Sequence, residues 1–522
     1  MKRDLILAID LGTTGCKTIV FDKNGNDISE GYEEYESIYL SPTWIDHDPQ
    51  TWLDATQNTI RIALEKLNFD PEQIEAIAVT SQRATFTPVN EKGTPLANAM
   101  LWQDKRAVKE AKLVEEKIGN DYIYEKTGVN IDPYFTLPKL MWFRDNKREK
   151  YKKMYKFLSV DSLIINYLTG EFVMDWTQAS RTMLFDLDNF KWDYEIAEKM
   201  EIDTSKLPET IEPGEIAGSL KNSIADELGL PADIPVVAAG GDQQCAAVGL
   251  GIIKSDLVEA NTGTGSFVLA HSDQAVRDDK KRVICSASAV AGKWVMEAGI
   301  FTTGSVYRWF RDNFGGVEID TGHKLGMDPY EIMNAEAKES SAGANGLLLI
   351  PHFAASGAPY WNPDANGVLY GLALGHERSD VVRSFLEGIA LEINKNIEII
   401  EELIGDPQEV RVSGGATKSP LFNQIQADVY NKPVIKTNYK ESSALGAAIL
   451  AAKSVGVYGD LDSAVNKMVR LDSSSRKLPR ENKNKIYNKV QNLHDDIYKS
   501  LNNNNIYEKS SDINNYIAEL EK

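Results

Sequence analysis

Two glycine-threonine turns carry the first chemical signal. Gly12-Thr13-Thr14 follows the apolar run Leu5–Ile9 and Asp10, and Gly263-Thr264-Gly265 follows a run ending in Asn261 and Thr262. Glycine lets a backbone come close to a ligand, and successive amide N–H groups with threonine hydroxyls cradle an anion. Either turn alone is what a tight hairpin would need. As a pair at matching places they point to a polyphosphate gripped from both sides. Competing phosphate motifs fail. The pattern GxxxxGK[ST] is absent, and Gly414-Gly415-Ala416-Thr417-Lys418 lacks a glycine directly before its lysine. No GxGxxG opens a helix after a first strand, which disfavours a dinucleotide fold.

Carboxylates at strand ends are the second signal. Asp10 ends the first apolar run beside its turn, and Asp242 follows Gly240-Gly241. Phosphoryl transfer to an alcohol needs Mg²⁺ near the phosphates and a carboxylate to accept the hydroxyl proton. Aspartate can do both, because hard Mg²⁺ prefers oxygen. A lone Asp242 would read as a helix N-cap; the paired glycines before it and the second aspartate at a cradle favour chemistry. Ser81-Gln82-Arg83 follows the buried-looking run Ile74–Thr80, where an α/β sheet presents ligands, and Arg83 offers a rigid donor fork for sugar oxygens. Trp102, Asp104, Tyr134, Gln243 and Phe267 are further candidates. The six histidines form no HExxH and no GxSxG occurs, so zinc and serine hydrolases are unsupported.

Strands and helices must hold these groups. Leu5–Ile9 and Lys17–Asp22 are predicted as a hairpin or meander with turn chemistry at Asn24-Gly25-Asn26. Trp52–Leu67 has helical spacing, and Ile74–Thr80 and the run from Pro235 into Gly240 read as strands. This alternation predicts an α/β fold. A short repeat aligns LAIDLGTTGCKTIVF with Val258–Ala270, setting Asp10 opposite Asn261, Gly12 opposite Gly263 and Thr13 opposite Thr264. Its spacing is near half the chain, as two similar halves would require. The expected divisions are residues 1–250, 251–470 and 471–522. The second half holds a glycine-rich stretch after strand Glu409–Val412 and an alanine-rich helix at Ser443–Ala452. Beyond Arg470 the composition turns to Lys, Asn and Ser, with low complexity at Asn502–Asn505 and a short terminal helix at Ser510–Lys522. Residues 471–522 therefore read as a solvated appendage.

Composition bounds the function. With 57 basic and 77 acidic residues, the net charge of −20 over 522 residues argues against nucleic-acid or anionic-membrane partners but not against a small phosphorylated ligand. Cys16, Cys245 and Cys285 are too dispersed for a disulfide framework and read as small buried hydrophobes. Asp10 interrupts the opening apolar run too early for a signal peptide, and no run of about 18 apolar residues predicts a membrane span. A cytoplasmic protein is expected.

In order, the segments DLGTTGCK, WQDKR, ASRTMLFDL, AGGDQQ, NTGTGSF, GAPYWNPDANG and SGGATKSP resemble the FGGY carbohydrate kinases, over about residues 4–470. TSQRAT, WQDKR, IDPYFTLPK and GDQQ are most similar to the glycerol kinase pattern within that family. The resemblance implies two actin-like, ribonuclease H-like domains with ATP and sugar meeting in a cleft between them. The first would bind sugar and carry the base, and the second would bind ATP. Carried over by motif, Asp10 would position Mg²⁺ and Thr13, Thr14 and Lys17 would approach the phosphates. Asp242 would be the general base. Thr264 and Gly304 would contact ATP phosphates, and Gly414, Gly415 and Ala416 would line the adenosine pocket. Arg83, Trp102, Tyr134, Asp242 and Gln243 match substrate positions, with Phe267 walling the pocket.

One departure matters. Glycerol kinases carry glutamate after the arginine, where this chain has Ala84. Losing that acceptor costs a glycerol hydroxyl a partner worth on the order of 2 kcal/mol or more. The expected activity is ATP-dependent phosphorylation of a terminal hydroxyl of a small polyol or ketose. Glycerol itself, xylulose or an autoinducer-like diol remain alternatives, and a nucleotide-switched binding protein of the actin-like class is the rival from outside the kinases. A homo-oligomer, dimer or tetramer, is expected.

Overall fold

Three strands open the chain, β1 (Leu5–Leu11), β2 (Gly15–Phe21) and β3 (Asp27–Glu34), each antiparallel to the one before it. The turn into β3 is built as its residue types require: Asp22 Oδ1 accepts from the amides of Asn24 and Asn26 at 2.7 and 2.9 Å. A computed structural model describes residues 4–437 and 441–520, except the side chains at 514, 515, 518 and 519. Residues 1–3 of the opening run and 521–522 of the expected terminal helix lie outside the described residues.

Two compact units emerge. The first comprises Met1–Ile253, His271–Val295 and Glu441–Arg470; the second comprises Lys254–Ala270, Met296–Lys440 and Leu471–Lys522. These units do not follow the linear division at 250 and 470, because the chain re-enters the first unit twice.

In the first unit, β4 (Ile74–Ser81), β5 (Glu215–Ser219) and β6 (Pro235–Gly241) complete a sheet ordered β5-β6-β4-β1-β2-β3. β4 is parallel to both β1 and β6, and the register sets Leu11 and Gly241 opposite Ser81. Three parallel strands thus end side by side. Their interiors are almost wholly apolar and buried, at Leu7, Ile9, Ile77, Val79, Val236 and Ala238, as expected for strands covered on both faces. Helix Pro49–Glu65 covers one face with Trp52 and Ile60; it starts where Asp48 accepts from the Gln50 amide and Pro49 presets the first turn. The alanine-rich helix, observed at Ser442–Ser454, also belongs here rather than to the second unit. Its small residues let its backbone lie against helix Asp242–Gly249, with Gly446 meeting Cys245 and Gly249.

The second unit repeats the plan. β7 (Leu257–Thr262), β8 (Ser266–Ser272), β9 (Trp294–Ile300), β10 (Glu409–Ser413), β11 (Val434–Thr437) and β12 (Leu471–Lys477) lie in the order β9-β8-β7-β10-β11-β12. β7 is antiparallel to β8 and parallel to β10, as β1 is to β2 and β4. The Gly-Thr turns occupy equivalent hairpins: the Gly12 amide donates to Gly15 O at 3.0 Å and the Gly263 amide to Gly265 O at 2.9 Å.

The tail corrects an expectation. Residues 471–503 do not form a solvated appendage. β12 pairs with β11, and helix Glu481–Asn503 buries Asn484, Tyr487, Gln491, His494 and Tyr498. Tyr487 Oη donates to Glu387 Oε1 at 2.7 Å and accepts from Arg383 at 3.0 Å. The buried positions alternate by three and four, a helical stripe that composition hid because polar and aromatic residues carry it instead of aliphatic ones. A last helix spans Ile506–Leu520. Among the described residues no helix is long and apolar enough to cross a membrane, and all three cysteines are free and buried.

Candidate active site

Strand ends build the first cluster. Asp10 is the penultimate residue of β1, Gln82-Arg83 follow β4, and Asp242 follows β6 as the first residue of helix Asp242–Gly249. Parallel register places Asp10 beside Thr80, and Thr80 Oγ1 donates to Gly240 O at 2.7 Å. The carboxyl ends of parallel strands are where such sheets bind ligands, so the local pattern read from sequence is here gathered into one place.

Asp242 and Arg83 meet within it. Arg83 Nε lies 3.4 Å from Asp242 Oδ1, and its Nη1 donates to Gln244 Oε1 at 3.2 Å. The arginine is buried while Asp242 keeps about a quarter of its side-chain exposure (24%). Asp242 Oδ1 also accepts from the Gln243 amide at 2.7 Å, at a helix N-terminus that favours negative charge. The two glycines before it each make room. A Cβ on Gly241 would lie 2.5 Å from Arg83 Cδ, and one on Gly240, whose φ is +127°, would lie 3.0 Å from Thr177 Oγ1. Gly-Gly is therefore what lets Arg83 pass beneath the backbone that carries Asp242.

Asp10 is the electrostatic centre. Its Oδ1 is sealed from solvent with no hydrogen-bond partner among the described residues. Burial first, then the Asp242 and Glu441 carboxylates, push its carboxyl up to about 8, against the opposing pull of Lys17. An orphaned, buried carboxylate oxygen is the kind of donor a hard cation such as Mg²⁺ prefers, while among the described residues no three His, Cys, Asp or Glu side chains gather into a group that could hold a metal by themselves.

The first Gly-Thr turn is tied to this cluster. Thr13 Oγ1 accepts from Trp102 Nε1 at 3.1 Å, and Gln82 Nε2 donates to Gly12 O at 3.3 Å. Tyr35 Oη donates to the same Gly12 oxygen at 2.6 Å. Thr14 is exposed and its carbonyl accepts from the Tyr35 amide. Lys17 Nζ lies 2.5 Å from Glu441 Oε1. Trp102 and Tyr134 pack edge to face at 5.7 Å. Ala84 is buried with φ of +59°, unusual for a residue with a Cβ, and its carbonyl accepts from Lys139 Nζ at 2.9 Å. The Tyr134 carbonyl accepts from the same ammonium. Burial lowers the Lys139 pKa to about 7 despite nearby Asp104 and Asp132.

The remaining expected residues lie in the second unit. Thr264 is exposed at the tip of the β7–β8 turn, and its carbonyl accepts from the Thr303 and Ser305 amides at 3.1 and 3.0 Å, bringing Gly304 to it. Gly414 is exposed just beyond β10, with Gly415 and Ala416 opening the turn Gly415–Lys418. Asn261 pairs with Ser413 in the parallel register, so both glycine turns stand at one sheet end. Phe267, half-buried on β8, faces Gly299.

Sequence reasoning passed over Lys139, Glu441 and the pair Asp175–Thr177. Lys139 lay inside the quoted segment IDPYFTLPK, and Thr177 two residues before ASRTMLFDL, so the motifs were a signal. Glu441 had none: nothing in the sequence relates it to Lys17.

Comparison with known proteins agrees with this architecture. Residues 5–249 match the N-terminal domain, and residues 258–455 the C-terminal domain, of the FGGY family of carbohydrate kinases. The chain is 38% identical over 463 residues to a glycerol kinase of Thermococcus gammatolerans, covering 88% of this chain and 90% of the relative. It is 33% identical over 497 residues to a glycerol kinase of Clostridium beijerinckii, covering 92% and 96%. Among solved structures, Plasmodium falciparum glycerol kinase with ADP superposes with a TM-score of 0.85 at 27% identity, covering 95% of this chain and 98% of that one. Xylulose kinase from Rhodospirillum rubrum shares the fold, with a TM-score of 0.89 at 22% identity over 97% and 100%. With both family domains matched in order and the strand-end cluster in place, the chain belongs to the FGGY family of carbohydrate kinases, enzymes that transfer a phosphoryl group from ATP to a sugar or polyol hydroxyl.

Proposed function

We propose that this kinase phosphorylates the terminal hydroxyl of a small polyol or ketose larger than glycerol, with Asp242 as general base. The observation that carries the reading is the Arg83–Asp242 pair at the end of β4 and β6, 3.4 Å apart and beside the orphaned Asp10 carboxylate. A guanidinium next to a carboxylate orients a substrate oxygen by donating to it, while the carboxylate accepts the proton as the oxygen attacks. Trp102 and Tyr134 supply an apolar wall for the carbon chain. By their match to the family's motifs, Thr13, Thr14 and Lys17 are assigned to phosphate contacts, Thr264 and Gly304 likewise, and Gly414, Gly415 and Ala416 to the adenosine. Asp10 would hold Mg²⁺, which when bound neutralises phosphate charge. Phe267 adds a further apolar surface.

Alanine at position 84 supports the substrate class. The residue following Arg83 is alanine, so the carboxylate that the glycerol kinase pattern offers a glycerol hydroxyl at this position is missing, and a longer acceptor loses nothing that glycerol loses. The test is a panel of glycerol, erythritol, xylulose and ribulose in a coupled ADP-release assay. Erythritol or a pentulose is expected to exceed glycerol at least about 10-fold in kcat/KM, the equivalent of one lost hydrogen bond. Highest activity on glycerol would overturn the substrate reading. Asp242→Asn is expected to lower kcat by about 10²–10⁴-fold with ATP binding retained; near-normal turnover would remove Asp242 from the role of base.

A further inference from the structure

Behind Asp242 lies a hydrogen-bonded chain that the catalytic reading does not use. The Gly241 amide, one peptide before Asp242, donates to Thr177 Oγ1 at 2.7 Å. Thr177 donates its own hydroxyl hydrogen to Asp175 Oδ1. The same Asp175 oxygen accepts from the Thr177 amide at 2.8 Å and the Gln178 amide at 3.3 Å, capping the short helix Trp176–Ala179. All these groups are buried: Thr177 is 0% exposed, Asp175 1% and Gln178 2%. Gln178 reaches the other catalytic strand, its Nε2 donating to Ser81 Oγ at 3.2 Å and Gln82 O at 3.3 Å. One turn of helix therefore grips the ends of both β4 and β6.

Direction matters in this chain. Because the Thr177 hydroxyl hydrogen is committed to Asp175, its oxygen lone pair faces the Gly241 N–H. Asp175 thus fixes the hydroxyl as an acceptor, and serial donation strengthens each link in a buried setting. Gly240, with φ of +127°, has no side chain to brace the turn, and a Cβ there would crowd Thr177. Thr80 Oγ1 holds the Gly240 carbonyl from the β4 side and Thr177 Oγ1 holds the Gly241 amide, so two hydroxyls on either side of the Gly-Gly segment set how Asp242 leaves the strand.

We infer that Thr177, held by Asp175, is a positioning residue for Asp242: its hydroxyl clamps the Gly241 peptide and so fixes the carboxylate against Arg83 for proton acceptance. This rests on Asp242 acting as the base. Thr177 is fully buried, with its hydroxyl engaged by Gly241 and Asp175, so its loss should act on the chemical step and leave binding alone.

The experiment compares Thr177→Val, Thr177→Ser and Asp242→Asn on the full-length protein, with the best acceptor from the panel and with ATP. T177V keeps the shape but loses the acceptor, and is expected to lower kcat about 10–100-fold with both KM values within about twofold. T177S keeps the oxygen and is expected within about threefold of the parent kcat, a rescue that general loosening of the fold would not produce. If T177V does not fold, T177A supplies the same readings. Unchanged kcat in the hydroxyl-free variant alongside an inactive D242N overturns the positioning role and leaves the base intact. An active D242N overturns the base itself. Equal losses in the valine and serine variants, or a rise in KM without a fall in kcat, would also overturn the inference.

Discussion

Arg83 Nε and Asp242 Oδ1 stand 3.4 Å apart, each delivered by the end of a parallel strand and neither adjacent to the other in sequence. In the proposed function this pair serves substrate more than stability. Arg83→Met, which keeps the length of the stem but not the charge, is expected to lower kcat/KM for the acceptor at least about 100-fold, equivalent to ~3 kcal/mol of charge-assisted hydrogen bonding. The KM for ATP is expected to stay within about twofold. Steady-state kinetics with each substrate varied separately would show a parallel rise in both KM values if Arg83 merely supported the fold.

The proposed acceptor preference rests on Ala84. Restoring the carboxylate with Ala84→Glu is expected to raise kcat/KM for glycerol about 10-fold, one charge-assisted hydrogen bond discounted for the new residue's need to adopt positive φ. Activity on erythritol or a pentulose should fall in the same variant. A glycerol assay showing no gain would mean that residues other than Ala84 shape the pocket.

Gly446 joins the two helices behind the site. A Cβ there would fall 1.7 Å from Cys245 O and 3.0 Å from the Gly249 amide nitrogen, on the helix that Asp242 begins. Backbone cannot yield as a side-chain tip can. Gly446→Ala is expected to cost at least about 2 kcal/mol in denaturant unfolding, and kcat should fall because Asp242 rides on the displaced helix. An unchanged midpoint and kcat would show that the helices separate without penalty.

Lys139 links stability to pH. Burial lowers its pKa to about 7, against the opposing attraction of Asp104 and Asp132 and with the repulsion of Arg106. The unfolded chain keeps the proton up to the ordinary lysine value of ~10.4, so between these limits the unfolded state binds more protons and stability rises with pH. The contribution is full above the upper limit and is lost as pH falls through about 7. Lys139→Met is expected to flatten the parent's stability gain between pH values of about 7 and 9 by about 2 kcal/mol, read as the difference between the two urea titration series. Parallel pH dependences would place the titration elsewhere.

Much of the architecture was legible in residue types. Apolar runs closed by Asp10, Ser81-Gln82-Arg83 and Gly240-Gly241-Asp242 specified strands ending in chemistry, since a strand buried on both faces must be apolar until its end meets solvent. The repeated Gly-Thr turn marked two halves because a hairpin that approaches an anion tolerates few substitutes. Seven ordered motifs then sufficed for the family. Tertiary structure alone decided what those ends meet. Local patterns carry no record of long-range register, so the pairing of Arg83 with Asp242, of Lys17 with Glu441 and of Thr177 with Gly241 appeared only once β1, β4 and β6 lay side by side. The same reason explains the tail and the alanine-rich helix. A helix declares its own periodicity, but which surface buries it depends on a complementary face elsewhere in the chain, and here those faces assigned Ser442–Ser454 to the first unit and Glu481–Asn503 to the second.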